Sequence, residues 1–168
     1  MRRKLTAAFM LIAVASVFVL ATPQDVDDHG TILKFSVMAG VTGPYVGPTN
    51  PIRGVPGGGM RWIIADGRGH LKSNGELKIR TRGLILPDPP FNFTNPLPSF
   101  RAIISCQSID ASNNATVVNV ITDPYPADAA GNSYLDTTVA LPQPCIAPII
   151  FVVHPTSDPA RWFAATGL

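Results

Sequence analysis

Residues 69–82, GHLKSNGELKIRTR, contain the clearest structural signal in the chain, because two runs of alternating side chains flank the pair Asn74-Gly75. Alternation with a period of two is typical of a half-buried strand, and Asn-Gly between two such runs predicts a β-hairpin. The second run places Leu77, Ile79 and Thr81 on one face and Lys78, Arg80 and Arg82 on the other. We expect the cationic side to be the solvated face of an antiparallel sheet.

The same pattern predicts the register of the hairpin. A two-residue loop would set Leu71 opposite Lys78 and mix an apolar side chain with a charge on one face. A three-residue loop over residues 73–75, with Gly75 left-handed in a bulge, instead pairs Leu71 with Leu77. The sequence therefore predicts the bulged hairpin.

The rest of the chain beyond residue 30 shows short β-branched and aromatic runs separated by Pro, Gly, Asn and Asp. No window has a convincing helical period, and 17 prolines disfavour helices. Strands are predicted at residues 31–39, 60–65, 69–73, 76–86, 100–108, 115–122, 133–141, 148–154 and 161–166. About nine short strands predict an all-β, single-domain antiparallel β-sandwich, Ig-like or jelly-roll-like, with a small β-barrel as the alternative.

Two cysteines, Cys106 and Cys145, are the only ones in the chain. An even pair in an exported protein predicts a disulfide. Cys145 precedes PIIFVVH, residues 148–154, which is apolar on both faces and predicts a central strand. The bridge would then tie two core strands, or two sheets, together. A metal site at these cysteines would need further ligands, and neither C-x-x-C nor H-E-x-x-H occurs.

The N-terminus has the pattern of a secretory leader. Three cations precede an apolar run from Ala7 to Ala21, which is 15 residues long and short of the roughly 20 that span a bilayer. We predict a signal peptide over residues 1–21, a flexible acidic tail over 22–30 and the β-sandwich domain over 31–168. The mature protein is then secreted and has no membrane anchor.

Charge excludes one class of partner. Arg2, Arg3 and Lys4 account for three of the 13 cations, so 10 remain against 11 acidic residues after cleavage, a net charge of −1. We therefore expect no nucleic-acid binding. An extracellular protein or a cell-wall polysaccharide remains a possible partner, and the sequence does not indicate an oligomeric state.

The glycine-rich stretch GVPGGGMRW, residues 54–62, could be a phosphate-binding loop or a turn. A phosphate-binding loop needs a helix after the glycines, and the sequence there predicts a strand. We interpret Pro56-Gly57 as the centre of a type II turn. Its glycines lie at the end of a 20-residue segment, residues 40–59, that has no convincing strand. Segments of that length without strands or helices are often functional.

Candidate binding residues lie in and beside this segment and at the end of the chain. Aromatic and cationic side chains could line a shallow recognition surface or cap one end of the sandwich. The predicted binding set is Tyr45, Arg53, Trp62 and Trp162.

IRGVPGGGMRW, CIAPIIFVV and the closing RWFAATG carry a resemblance. Together they resemble the pattern of a group of small exported bacterial all-β proteins of unassigned function, and the likeness covers most of the mature chain. The resemblance implies no particular activity and no site residues.

The sequence contains no recognisable catalytic constellation. There is no G-x-S-x-G, the histidines are scattered and Glu76 is the only glutamate, so we predict no enzyme and no cofactor. Asp25, Asp27 and Asp28 are weak metal candidates, since they lack the spacing of a calcium loop. Two glycosylation sequons begin at Asn92 and Asn114.

Three functions follow in order of preference. The first is a secreted non-catalytic module with a structural or protein-interaction role, which predicts that Trp62 and Trp162 are buried. The second is a carbohydrate or cell-wall binding module with exposed aromatic side chains. The third is a small secreted hydrolase, which needs an Asp, Ser or His cluster in a cleft.

Overall fold

The computed structural model describes residues 30–167. The predicted signal peptide, nearly all of the predicted acidic tail and the metal candidates Asp25, Asp27 and Asp28 lie outside the described residues. The described chain forms the strands β1 (Thr31–Phe35), β2 (Met38–Gly40), β3 (Asp66–Lys72), β4 (Glu76–Arg82), β5 (Ser99–Ile109), β6 (Ala115–Ile121), β7 (Tyr125–Pro126), β8 (Ser133–Thr138), β9 (Ile146–Val153) and β10 (Trp162–Thr166).

These strands form two antiparallel sheets. The four-stranded sheet has the order β1-β3-β4-β8. The six-stranded sheet has the order β2-β10-β9-β5-β6, and the short β7 also pairs with β5. The prediction of an all-β antiparallel sandwich is confirmed, and the strands do not close into the alternative barrel. One 3-10 turn, Gly43–Tyr45, is the helical element of residues 30–167, and no helix there could cross a membrane.

The core lies between the two sheets and follows the alternation in the sequence. The four-stranded sheet contributes Leu71, Leu77, Ile79 and Leu135, and the six-stranded sheet contributes Phe100, Ile104, Ile150 and Val152. An aromatic cluster fills one part of the core, where the rings of Trp62 and Phe163 stack with their centroids 4.1 Å apart. Burial of these side chains supplies most of the driving force for folding.

The hairpin has the predicted bulged register. Leu71 pairs with Leu77, and Gly75 has a φ of +89°. The Gly75 N–H donates to the Lys72 carbonyl (3.0 Å), and the Asn74 side-chain oxygen accepts from the Glu76 N–H (3.0 Å). The second strand buries Leu77, Ile79 and Thr81 and turns its cations outward, as the alternation predicts.

Two strand predictions are wrong. Residues 31–39 form two strands, because the chain leaves the four-stranded sheet after Phe35 and enters the six-stranded sheet at Met38. Residues 60–65 form no strand and contribute only an isolated bridge between Ile63 and Ile85. The first run contains no Gly or Pro that would mark the break between its two strands. In the second run the Trp62 side chain packs in the core, but the backbone around it is not paired as a strand.

Cys106 and Cys145 form the predicted disulfide. Cys106 lies in β5 and Cys145 immediately precedes β9, and these strands are neighbours in the six-stranded sheet. The bridge therefore joins two core strands of one sheet, not two sheets. It lies where the β5–β9 register shifts between Ser105 and Gln107.

Reduction of this disulfide should lower the melting temperature by about 10 °C. A loop closed over a sequence separation of 39 residues is worth about 4 kcal/mol in the chain-entropy model, and a domain of this size loses about 2–4 °C per kcal/mol. Thermal unfolding followed by circular dichroism, with and without reductant, measures the change. The double variant Cys106→Ala/Cys145→Ala should match the reduced protein, and equal melting of the oxidised and reduced forms would contradict the prediction.

Candidate functional site

Residues 43–58 pack against the six-stranded sheet: residues 56–58 pair with Trp162 at the start of β10, and Tyr45 and Arg53 contact its outer face, the face turned away from the core. The Gly58 N–H donates to the Trp162 carbonyl (2.8 Å), and the Trp162 N–H donates to the Pro56 carbonyl (2.9 Å). The ring of Tyr45 lies 6.4 Å from that of Trp162, centroid to centroid. We call residues 43–58 the cover segment. Its role is structural at these contacts, because it shields Trp162 from solvent.

Arg53 fixes the far end of the cover segment. Its guanidinium donates to the Ser105 carbonyl (2.8 Å), and its own carbonyl accepts from the Asn119 side-chain amide (3.1 Å). Arg53 and Gly54 both have positive φ, at 49° and 79°, within a tight turn closed by hydrogen bonds between Ile52 and Val55. The Arg53 side chain therefore already holds a backbone partner of β5.

The glycine-rich stretch is a close-packing device. A Cβ on Gly57 would collide with the carbonyl oxygen of Tyr45, and one on Gly58 would press on the ring of Phe163. The predicted type II turn at Pro56-Gly57 is wrong, because Gly57 does not have the positive φ that this turn needs. No helix follows the glycines, so the geometry of a phosphate-binding loop is also not present in this stretch.

Replacement of Gly57 by alanine should destabilise the protein by about 2 kcal/mol or more, because backbone must move to admit the methyl group. Gly59→Ala is the matched control, since nothing lies within 4 Å of a Cβ there and its φ is not positive. Urea unfolding of the two variants measures the difference. Equal free energies of unfolding would contradict the close-packing role of Gly57.

The structure does not assemble the predicted binding residues into an exposed surface. Trp62 and Trp162 are each only 4% exposed, so neither indole offers a face to a ligand. Arg53 is committed to Ser105, and Tyr45, at 44% exposure, is the one aromatic ring of the set that solvent reaches. The linear pattern could not show this, because burial of the two tryptophans depends on the cover segment and on the Phe163 stack.

His154, which directly follows β9, stabilises the next turn. Its Nδ1 accepts from the backbone N–H groups of Thr156 (3.2 Å) and Ser157 (3.1 Å). Partial burial, and then the charge of Arg161, lower the pKa of His154 below its ordinary value. In residues 30–167 no histidine nitrogen bonds a hydroxyl group, and no three metal-ligating side chains cluster.

A lowered pKa makes the stability contribution of His154 depend on pH. The unfolded chain takes up its proton at a higher pH than the folded chain, so stability is retained above the ordinary histidine pKa of about 6.5 and declines as the pH falls below it. Denaturant unfolding between pH 8 and pH 5 should show this decline, and His154→Gln should flatten it. An NMR midpoint for His154 at or above 6.5 would contradict the assignment.

Exposed apolar side chains concentrate where the cover segment ends. Val117 and Ile121 of β6, Ile109 at the end of β5 and Ile146 at the start of β9 are 40–55% exposed. Gln107 lies opposite both Val117 and Ile146, so one row of side chains crosses three strands. We call Ile109, Val117, Ile121 and Ile146 the β6 patch.

The β6 strand is also an open edge. It pairs with β5 alone among the described residues. The Thr122 N–H donates to the Ala102 carbonyl (2.9 Å), so the even-numbered residues of β6 face β5 and Val117, Asn119 and Ile121 direct their backbone groups outward. ATVVNVI contains no charge or proline, and its register with β5 is unbroken. Natural edge strands normally contain a charge, a proline or a bulge, which prevents pairing with a further strand.

A second candidate surface lies on the four-stranded sheet. Arg80 and Arg82, on the outward face of β4, line an open cleft of about 620 Å³ together with Asp128, Asn132 and Tyr134. Tyr134 lies directly across from Arg80 in β8 and is 57% exposed. The sequence identified the cationic stripe, but not the aromatic ring beside it.

The chain matches no protein-family model, and no curated protein or solved structure is significantly similar to it. The resemblance to small exported bacterial proteins therefore stays a prediction. The two surfaces described above are the basis for assigning a function.

Proposed function

We propose that this protein is a secreted, non-catalytic structural module, and that it assembles with a second copy of itself through the open edge of β6. The uncharged, unprotected β6 edge, continuous with the apolar β6 patch, is the observation that carries the proposal. An exposed apolar edge of this kind is a template for a further strand. The leader pattern and the disulfide support secretion.

A second copy fits this edge because β6 is complementary to itself. Antiparallel pairing about a two-fold axis at Asn119 sets Val117 against Ile121 of the second copy, and Asn119 against the same residue of the second copy. These are the residues whose backbone groups point outward, so each such pair exchanges two backbone hydrogen bonds. No like charges meet in this register, since β6 carries none.

The two other candidate functions have weaker support at the sites the sequence indicated. Carbohydrate binding by Trp62 and Trp162 would need exposed rings, and both are buried. Hydrolysis would need a nucleophile beside a base, and in residues 30–167 the two histidines bond to Glu76 and to backbone amides. The structural role therefore remains the preferred reading of the fold.

The mass of the protein should rise from monomer to dimer with concentration. Sedimentation equilibrium over about 1–500 µM covers the affinities expected of a small interface. Val117→Lys/Ile121→Lys should give a monomer throughout, because lysines would face one another in both pairs. Val117→Lys/Ile121→Glu should restore the dimer, because opposite charges would then meet in both pairs.

Tyr134→Lys is the matched control, since it adds a charge at an exposed position on the other sheet. It should leave the association constant unchanged. A wild-type protein that stays monomeric at every concentration would contradict the proposal. So would a dimer that survives Val117→Lys/Ile121→Lys, because its interface would lie elsewhere.

A further inference from the structure

Among residues 30–167, two arginines of β4 have no acidic partner, although acidic side chains lie nearby. Arg80 and Arg82 form no ion pair with any residue of the described part of the chain. Asp66, directly across from Arg82, instead accepts two hydrogen bonds from Arg68 (2.7 and 3.0 Å). Asp136, on the other flank, binds Lys78 (3.2 Å).

Asp128 is the one carboxylate that lines the cleft, and both of its oxygens accept hydrogen bonds within a turn. Its Oδ1 accepts from the Asn132 backbone N–H (2.8 Å), and its Oδ2 accepts from the Asn132 side-chain amide (3.0 Å). These hydrogen bonds lower the pKa of Asp128, so the carboxylate is ionised and serves the turn. Asp66 and Asp136 are thus paired with other cations, Asp128 keeps its charge at the wall of the cleft, and the exposed Arg80 and Arg82 outnumber it there.

The spacing of the two cations suits a chain of anionic groups. Alternate residues of a strand lie about 7 Å apart on the same face, so Arg80 and Arg82 present two guanidinium groups in a row. Guanidinium groups bind carboxylates through paired hydrogen bonds. The Tyr134 hydroxyl donates to Asp136 (3.2 Å), which orients the exposed ring beside Arg80. A phenol ring held in this way gives an apolar face on which a sugar can stack.

We infer that the cleft of Arg80, Arg82 and Tyr134 binds a carboxylated polysaccharide, a polymer of uronic acid units. The two arginines would take carboxylates of the chain, and Tyr134 would stack on a sugar ring between them. This combination favours an acidic sugar over a phosphate polymer, which has no use for the aromatic ring. It also favours an acidic sugar over nucleic acid, because the chain beyond its leader has no excess of basic residues.

Titration calorimetry with a short oligogalacturonate at low ionic strength tests this inference. Arg80→Gln/Arg82→Gln should weaken binding at least tenfold, about the loss of one strong charge-assisted contact. Lys34→Gln/Arg61→Gln is the matched control, because it removes the same charge outside the cleft, and it should change the affinity less than about twofold. Tyr134→Ala should weaken binding, whereas Tyr134→Phe, which keeps the ring, should retain most of it.

The comparison probes are inorganic polyphosphate, a single-stranded oligonucleotide and an uncharged oligosaccharide of similar length. Selective binding of the oligogalacturonate, sensitive to both the arginine pair and the Tyr134 ring, supports the inference. If polyphosphate binds as tightly as the oligogalacturonate, and Tyr134→Ala leaves that affinity unchanged, the inference is overturned. The cleft would then adsorb anions unspecifically. Tighter binding of the oligonucleotide, or no saturable binding of the uronate, would also overturn it. The β6 edge belongs to the other sheet, so none of these outcomes bears on self-association.

Discussion

The six-stranded sheet has to be covered on both of its faces. β10 is buried along its whole length, and the second half of β9 is buried on both sides. One face packs against the four-stranded sheet. The other face is shielded by residues that belong to neither sheet. The cover segment provides that shield. The close contact of Gly57 with Tyr45 and the left-handed turn at Arg53 and Gly54 let this segment lie against the sheet.

The cover is incomplete, and the open surface follows from where it stops. Arg53 reaches Ser105 and Asn119, which lie opposite each other in β5 and β6. Beyond that row the outer face carries Gln107, Val117 and Ile146 in solvent. Val117 and Ile146 therefore belong to the part of the outer face that the cover segment leaves uncovered. A shield that ends there leaves room for a second chain.

Period-two patterning predicted most of the fold, because each strand has to commit alternate side chains to the core. The bulged hairpin at Gly75 and the central position of β9 followed from local residues alone, and the disulfide followed from the presence of just two cysteines behind an export pattern. The passage between sheets after Phe35 did not, because a strand that changes sheets keeps the same β-branched composition. The strand predicted at residues 60–65 was wrong for a related reason. The Trp62 side chain packs in the core although the backbone around it forms no continuous strand.

The candidate surfaces were harder to predict than the fold, since each depends on neighbours remote in sequence. ATVVNVI has the same pattern in an edge strand as in a central one, and only the strand order makes β6 an edge. The arginines of β4 were visible as a stripe, but their lack of ion-pair partners within residues 30–167 depends on Asp66 and Asp136, which come from flanking strands. The burial of Trp162 likewise depends on residues more than a hundred positions earlier in the chain.

The disulfide has a mechanical consequence for β6. Cys106 lies directly opposite Val118, so the strand beside the open edge is the one that is covalently tied to the chain entering β9. A pull applied at β6 reaches β5 at a point where β5 cannot separate from β9 without breaking a covalent bond. Under load, the hydrogen bonds between β6 and β5 would break first, while β5 and β9 stayed paired. The disulfide thus keeps β5 and β9 joined if β6 separates from β5.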